Sequence, residues 1–433
     1  MSAIPVFTGP PLLGLNLRFL RDPIGMFAQA RRDHGDVVQL DLGLAGPLHA
    51  VFHPEGVKRV LMNGRRTHRQ LLRELLGKGL FTSPSGDDWG RRRRLLTPLF
   101  RAERLSAMTP LLLGPLDEAL DTRWRTGERI DLATEMKRIT VAMMVEATFG
   151  TGADVDRTAA RAALDFLLGY VDHQLFTFAT APRSWPTPAN RRYRTDIAAL
   201  RRIIGDALLA RTRRPGTEPT FLDGLLEHRA GFSDEELVDE VLSIFIAGTE
   251  TTGTALVWAL HLLSLNGEVA EQLRAEVDDV VGQRDPTGDL LRKLRVPRAA
   301  VREALRLYPP AWALRRVLDE PLDVGGHVLP AGARTIVSSY VTHRHPDVWS
   351  TPDAFLPARW LSGEERHRFA YFPFGAGAHQ CVGNTFAQLE GDLVLTRVAQ
   401  RFRLDPLPNQ PTGTKPAIAL TPVPAPTPLL MPV

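Results

Sequence analysis

Cys381 is the single cysteine among 433 residues, and it closes the run Phe374-Gly375-Ala376-Gly377-Ala378-His379-Gln380-Cys381-Val382-Gly383. Glycines at 375 and 377 let a backbone turn tightly and come close to something flat and bulky, because without a Cβ they reach conformations other residues avoid. Just beyond the cysteine, Phe386, Leu389, Leu393 and Val394 recur at helical spacing. The sulfur therefore belongs at a helix N-terminus, where the dipole and free N–H groups favour a thiolate. A thiolate so placed can ligate iron. A lone cysteine otherwise behaves as a small buried hydrophobe. A thiol hydrolase would need a base within hydrogen-bond reach, and His379, two residues away, is poorly placed to be one.

A second constellation lies in the helical pattern that follows Ser233-Asp234-Glu235-Glu236, a capping box in which Ser and Glu satisfy each other's free backbone donors. Midway it carries Ala247-Gly248-Thr249-Glu250-Thr251-Thr252-Gly253. A Thr hydroxyl can bond the carbonyl four residues back, which bends the helix and opens room beside it; here that links Thr251 to Ala247. A kinked core helix could carry the same residues. Glu250 beside Thr251 has a chemical use, since an acid next to a hydroxyl relays protons. Glu303 and Arg306 stand three apart on one helical face, ready to pair, although such pairs are common on solvated surfaces. His343 and His345 look metal-like, but with no third ligand nearby they are expected to be structural.

Taken in chain order, Trp89-Gly90-Arg91-Arg92-Arg93, Ala247 to Gly253, Glu303-Ala304-Leu305-Arg306, Phe355-Leu356-Pro357-Ala358-Arg359-Trp360 and the cysteine run resemble the cytochrome P-450 superfamily over essentially the whole chain. The resemblance implies a mainly α fold, a triangular prism of helices with small β-sheets, holding haem b. It makes Cys381 the axial ligand and Thr251 with Glu250 the proton-delivery pair. Trp89, Arg93, Arg316 and His379 would face the haem propionates, a setting that suits charge-assisted bonds. Ala247, Gly248, Phe374, Gly375 and Gly383 would lie against the cofactor, and Glu303, Arg306 and Arg359 would form a structural triad. Two positions depart from the commonest pattern: His379 stands where many members have Arg, and Ala358 where many have an acid.

The implied activity is insertion of one oxygen atom of O2 into a hydrophobic small molecule, such as a terpenoid, polyketide or fatty acyl compound of bacterial secondary metabolism. A ferredoxin and its reductase would supply the electrons. A non-oxygenase haem protein of the same fold, an isomerase or sensor, would not need Glu250-Thr251.

These residues have to be positioned by long helices. Helical spacing runs through Leu105 to Arg123, Leu132 to Phe149, Thr158 to Gln174, Asn190 to Arg211, Ser233 to Leu265 and Glu268 to Val281. Val37 to Leu42 and His49 to Phe52 read as a small hairpin, and strands return near Leu322 to Val337 and after Ile418. Three prolines between Ala181 and Pro188 require a connection between two helices, which the resemblance makes the lid of the substrate pocket. Pocket walls are expected from Gln70 to Phe81, Phe166 to Phe178, Ile244 to Gly248, Ala311 to Leu314, and Ile418 to Ala419.

With 44% hydrophobic residues the chain has ample material for a core, and no interdomain linker breaks it, so residues 1–433 read as one catalytic unit. Net charge is only +4, and the Arg91 to Arg94 run has no interleaved aromatics for base stacking, which argues against nucleic acid. Arg91, Arg92 and Arg94 are instead expected on the cysteine side, where an acidic ferredoxin could dock. No run of 18 apolar residues suggests a membrane span, and the sparse cysteine suits a reducing, cytoplasmic setting.

Overall fold

The computed structural model describes residues 3–10, 14–66, 70–83, 86–151, 156–177, 180–213, 218–408 and 410–433. Its axis is the 32-residue helix Asp234–Leu265, started by the expected capping box: Ser233 Oγ accepts from Glu236 N while Ser233 N donates to the Glu236 carboxylate. Most of this helix is buried, and it runs against Leu132–Phe149. The closeness of that crossing explains Gly248. A Cβ there would come 2.8 Å from Met144 Sδ, so a residue that costs a helix interior about 1 kcal/mol is kept by packing.

The helices Arg157–Phe176, Pro188–Arg213 and Gly267–Val280 match the predicted spans to within two residues. Pro188 opens its helix rather than preceding it, because a first-turn proline loses no intrahelical bond. The predicted Leu105 to Arg123 helix divides into Ala102–Ala107 and Thr109–Arg123. Pro110, in the first turn of the second, cannot continue the ladder of the first.

Six strands form the main sheet, in the order Val6–Phe7, Val37–Asp41, Pro47–Val51, Arg334–Val337, Leu314–Leu318 and Gly64–Arg66. The predicted hairpin is its centre, antiparallel with Val37 opposite Val51. Two further pairs, Phe402–Asp405 with Leu429–Pro432 and Gly413–Pro416 with Leu420–Val423, are short and proline-bearing and were only partly expected. Asp234–Leu265 is the one described helix long and apolar enough to cross a membrane. Its apolar window is 67% buried inside the protein, as suits a core helix.

Glu303 is fully buried on the helix Val296–Leu307 and accepts five hydrogen bonds: two from Arg306, one from Arg359, one from Trp360 Nε1 and one from Leu356 N. Arg306 spends its remaining donors on the carbonyls of His343, Pro352 and Ala354. Ala358 leaves this cluster with one carboxylate against two guanidiniums, and backbone oxygens complete it.

The two histidines are structural. His345 Nε2 lies 3.0 Å from Asp36, and no group of three or more candidate ligands occurs among the described residues. His343 Nε2 accepts from Phe372 N at 2.9 Å while Nδ1 meets the Arg306 carbonyl at 3.2 Å. Those bonds require a neutral ring with its proton on Nδ1. Burial, reinforced by the Arg306 charge, pushes the His343 pKa down to about 3. The unfolded chain then binds the extra proton first, so stability is complete above about pH 6.5 and falls as pH drops toward 3. At pH 5 this site should cost about 2 kcal/mol. Urea unfolding at pH 7 and pH 5 measures it: His343→Gln should lose that part of the pH dependence, and an unchanged slope would contradict the assignment.

Candidate active site

The cysteine loop is built by its own backbone. Gly375 N donates to Phe372 O at 2.9 Å, Gln380 N to Gly377 O at 3.1 Å and Cys381 N to Phe374 O at 2.8 Å. Gly375 and Gly377 sit at φ 68° and 74°, the left-handed region in which a side chain would be strained. Gly377 also comes close to Leu61 O and Met62, and Leu314 packs at Gly375, so the loop is framed by the helix Pro54–Asn63 and the sheet. The following helix is Asn384–Arg401 with Gly383 as N-cap. Cys381 therefore precedes the first turn rather than opening it, and its side chain is exposed.

Helix Asp87–Leu96 brings Trp89 and Arg93, four apart, to successive residues of that loop. The Trp89 ring lies 4.4 Å from the His379 ring, and Arg93 Nη1 donates to Gln380 O at 2.8 Å. Burial lowers the Arg93 pKa, against the opposing pull of Cys381. Arg316, on the strand Leu314–Leu318, is buried; its Nη1 donates to Arg315 O, but its Nε has no partner among the described residues. Burial brings its pKa down to about 10. Leu314, two residues earlier on the same strand face, is the residue packed at Gly375. A buried guanidinium with an orphaned N–H, beside a loop that presents a thiol, fits an anionic group of the propionate kind. The residues present thus fit a haem.

Along the long helix, Ala247 and Thr251 are exposed although Ile246, Thr249 and Thr252 are buried. Thr251 Oγ1 donates to Ala247 O at 2.6 Å, and the helix runs unbroken through this bond. Gly248 sits on the flank that meets Met144, so helix packing accounts for it. Glu250 Oε2 lies 3.2 Å from Lys137 Nζ. One residue beyond Thr251, Thr252 lies near the wholly buried carboxyl of Glu390, whose pKa burial pushes well above the usual carboxylate range. Neither Glu390 oxygen has a hydrogen-bond partner among the described residues, and its helix, the one that follows Cys381, packs against the long helix.

Three groups went unread in the sequence. Lys137 and Asp172 reach Glu250's surroundings from other helices, and Glu390 is one acid among many. Only Lys137 left a signal: lysine occurs five times among 53 basic residues. The arginine run is a correction. Arg92 is buried, bonded to Asp88, Glu236 and Glu240, and Arg91 is held by Asp88, Glu236 and the Gly231 carbonyl. Both are consumed in joining Asp87–Leu96 to the long helix, and of the three arginines expected at a docking surface Arg94 alone is exposed. Within the expected pocket walls, residue 178 lies outside the described residues.

The family model described as "Cytochrome P450" matches residues 4–428. The chain belongs to the cytochrome P-450 family. It is 33% identical over 414 residues to a cyclooctat-9-en-7-ol 5-monooxygenase of Streptomyces melanosporofaciens, covering 92% of this chain and 89% of that protein. It is 31% identical over 413 residues to a pentalenene oxygenase of Streptomyces avermitilis, covering 92% and 90%. The crystal structure of the cytochrome P450DA heme domain superposes with a TM-score of 0.90 at 27% identity, covering 100% of this chain and 98% of that one. As a member of this family the protein is a haem-dependent monooxygenase, an oxidoreductase that needs O2 and a redox partner.

Proposed function

We propose that the chain acts as one catalytic unit, a cytoplasmic haem-b monooxygenase that hydroxylates a terpenoid with electrons from a ferredoxin and its reductase. The observation that carries the reaction type is the presence together of an exposed Cys381 loop and an exposed Thr251, back-bonded to Ala247 in a helix most of which is buried. Terpenoid chemistry is supported by the names of the two Streptomyces relatives and by the apolar walls expected around the site. When bound, haem ligated by Cys381 would supply activation of O2, with the thiolate pushing electron density onto iron.

Arg93, Arg316 and His379 would hold the cofactor's carboxylates, with the Trp89 ring tilted against His379. Thr251 would hold a proton at Oγ1 and Glu250 would replenish it, so that oxygen is reduced with protons rather than released as peroxide. Ala247, one turn earlier on the same face of the helix, presents only a methyl group there, which leaves space for substrate.

Thr251→Ala tests the relay. Haem content and substrate binding should be retained and NADPH consumption should continue. Product per NADPH should fall roughly tenfold, less than the full worth of a general acid because water or Thr252 can partly substitute. Equal coupling in the variant and the parent would remove Thr251 from the mechanism. Substrate class is tested by titrating sesquiterpenes and diterpenes against polyketides and fatty acids and following the haem absorption band; a response confined to fatty acids would overturn the terpenoid assignment.

A further inference from the structure

Asp172, on the helix Arg157–Phe176, is a carboxylate with half of its bonding capacity committed. Its Oδ1 accepts the Ile418 N–H at 2.7 Å. The turn that offers this N–H is fixed from its other side: Trp312 Nε1 donates to Ala417 O at 3.0 Å, Trp258 Nε1 to Leu420 O at 2.7 Å and Leu420 N to Pro310 O at 3.1 Å. The carboxyl is thereby held at one place in one orientation. Its other oxygen, Oδ2, has no hydrogen-bond partner among the described residues, and the side chain is only half-buried.

That place is where the expected pocket walls converge. Asp172 belongs to the Phe166 to Phe178 wall and Ile418 to another, Trp312 ties in the Ala311 to Leu314 wall, and the Glu250 charge reaches Asp172 from the long helix. A leftover acceptor among apolar walls discriminates. A carboxylate oxygen can only accept, so it favours a group that donates and disfavours one that carries lone pairs alone. Fixing Ile418 N would need no charge, and a neutral Asn would serve as well. The charge of Asp172 is incompletely satisfied: burial raises its pKa and Glu250 adds to the rise, against the Ile418 bond and the charges of Lys415 and Lys137. One more donor would stabilise the ionised form. Because two lysines already supply positive charge, a neutral donor suffices.

We propose that Asp172 Oδ2 is the polar anchor of the substrate pocket and accepts a hydrogen bond from a hydroxyl group already on the substrate, so that the enzyme oxidises a terpenoid alcohol rather than a bare hydrocarbon. Tethering that hydroxyl restricts which carbons can reach the oxidising centre. The reaction that supplies the substrate must then leave a hydroxyl on the skeleton, by trapping a carbocation with water or by an earlier oxygenation. The inference rests on the terpenoid reading.

The test titrates ferric holoenzyme at pH 8 with two matched sets, nootkatol, nootkatone and valencene among sesquiterpenoids and phytol, phytenal and phytene among diterpenoids, following the haem absorption band. In at least one set the alcohol should bind roughly tenfold tighter than its carbonyl and hydrocarbon counterparts, a ratio that one hydrogen bond to a charged group can supply. Asp172→Asn keeps an oxygen for the Ile418 N–H and so turns its NH2 group to the pocket; a donor there should bring the carbonyl compound level with the alcohol or ahead of it. Asp172→Ala should remove the ranking. Equal binding of alcohol and carbonyl compound by the parent would overturn the proposal. So would a parent-like ranking in Asp172→Asn, or a uniform loss of affinity in Asp172→Ala with the ranking kept, which would leave Asp172 only the task of fixing the turn. If no compound of either set binds, the terpenoid reading beneath the proposal fails instead.

Discussion

Replacing Cys381, the proposed iron ligand, by serine should remove thiolate ligation and take monooxygenase turnover down to that of free haem. A neutral hydroxyl is a far poorer ligand and electron donor than a thiolate, and the push it would have to replace is what favours O–O cleavage in this class of site. The loop itself should survive, since its closure rests on backbone bonds from Cys381 N, Gly375 N and Gln380 N, while the cysteine side chain is exposed. The expected result is therefore a folded protein with parent-like thermal unfolding in its haem-free form, reduced haem content, and no red-shifted band in the reduced CO complex. An unchanged CO spectrum would reassign the ligand.

Replacing Glu303 by alanine should be the most damaging change remote from the site. It strands Arg306 and Arg359, two buried guanidiniums, and leaves Trp360 Nε1 and Leu356 N without their acceptor. Breaking a buried ion pair by removing one partner costs about 3–5 kcal/mol. Against a total stability of about 5–15 kcal/mol that is a large share, and only near the lower end does it leave a substantial unfolded fraction at 37 °C. Urea midpoints give the measurement. Glu303→Gln, which keeps the shape and one carbonyl acceptor, should lose less. A loss under about 1 kcal/mol for alanine would mean that the carbonyls of His343, Pro352 and Ala354 already satisfy the cations unaided.

The sequence was most legible where one element carries the whole signal. The capping box at Ser233, the Thr251 back-bond and the turn glycines of the cysteine loop are local events, and the structure has them at those residues. Arg316 and its neighbour Arg315 face opposite ways on their strand, and it is Arg316 that the structure buries. What the sequence hid is pairing between elements. Four consecutive arginines look alike until Glu236 and Glu240 arrive from another helix and bury Arg92 but not Arg94. Gly248 reads as room for a cofactor until Met144 is seen against it. Lys137 could not be connected to Glu250, because 112 residues lie between them and they sit on different helices.

The framing of the cysteine loop has a consequence for how the protein is assembled. Leu61, Met62, Trp89 and Arg93 close the loop from one side, and Leu314 and the His343–Phe372 bond from the other. Residues on the first side leave the ribosome some 250 residues before those on the second. An N-terminal segment folding alone can bury its own helices, since domains tend to fold as they are made, but it presents half a cradle and no thiol. With Cys381 as the iron ligand, haem capture would wait until the chain has been synthesised past Gly383. The cofactor would then join a nearly finished fold as its closing step instead of serving as a template for the early one.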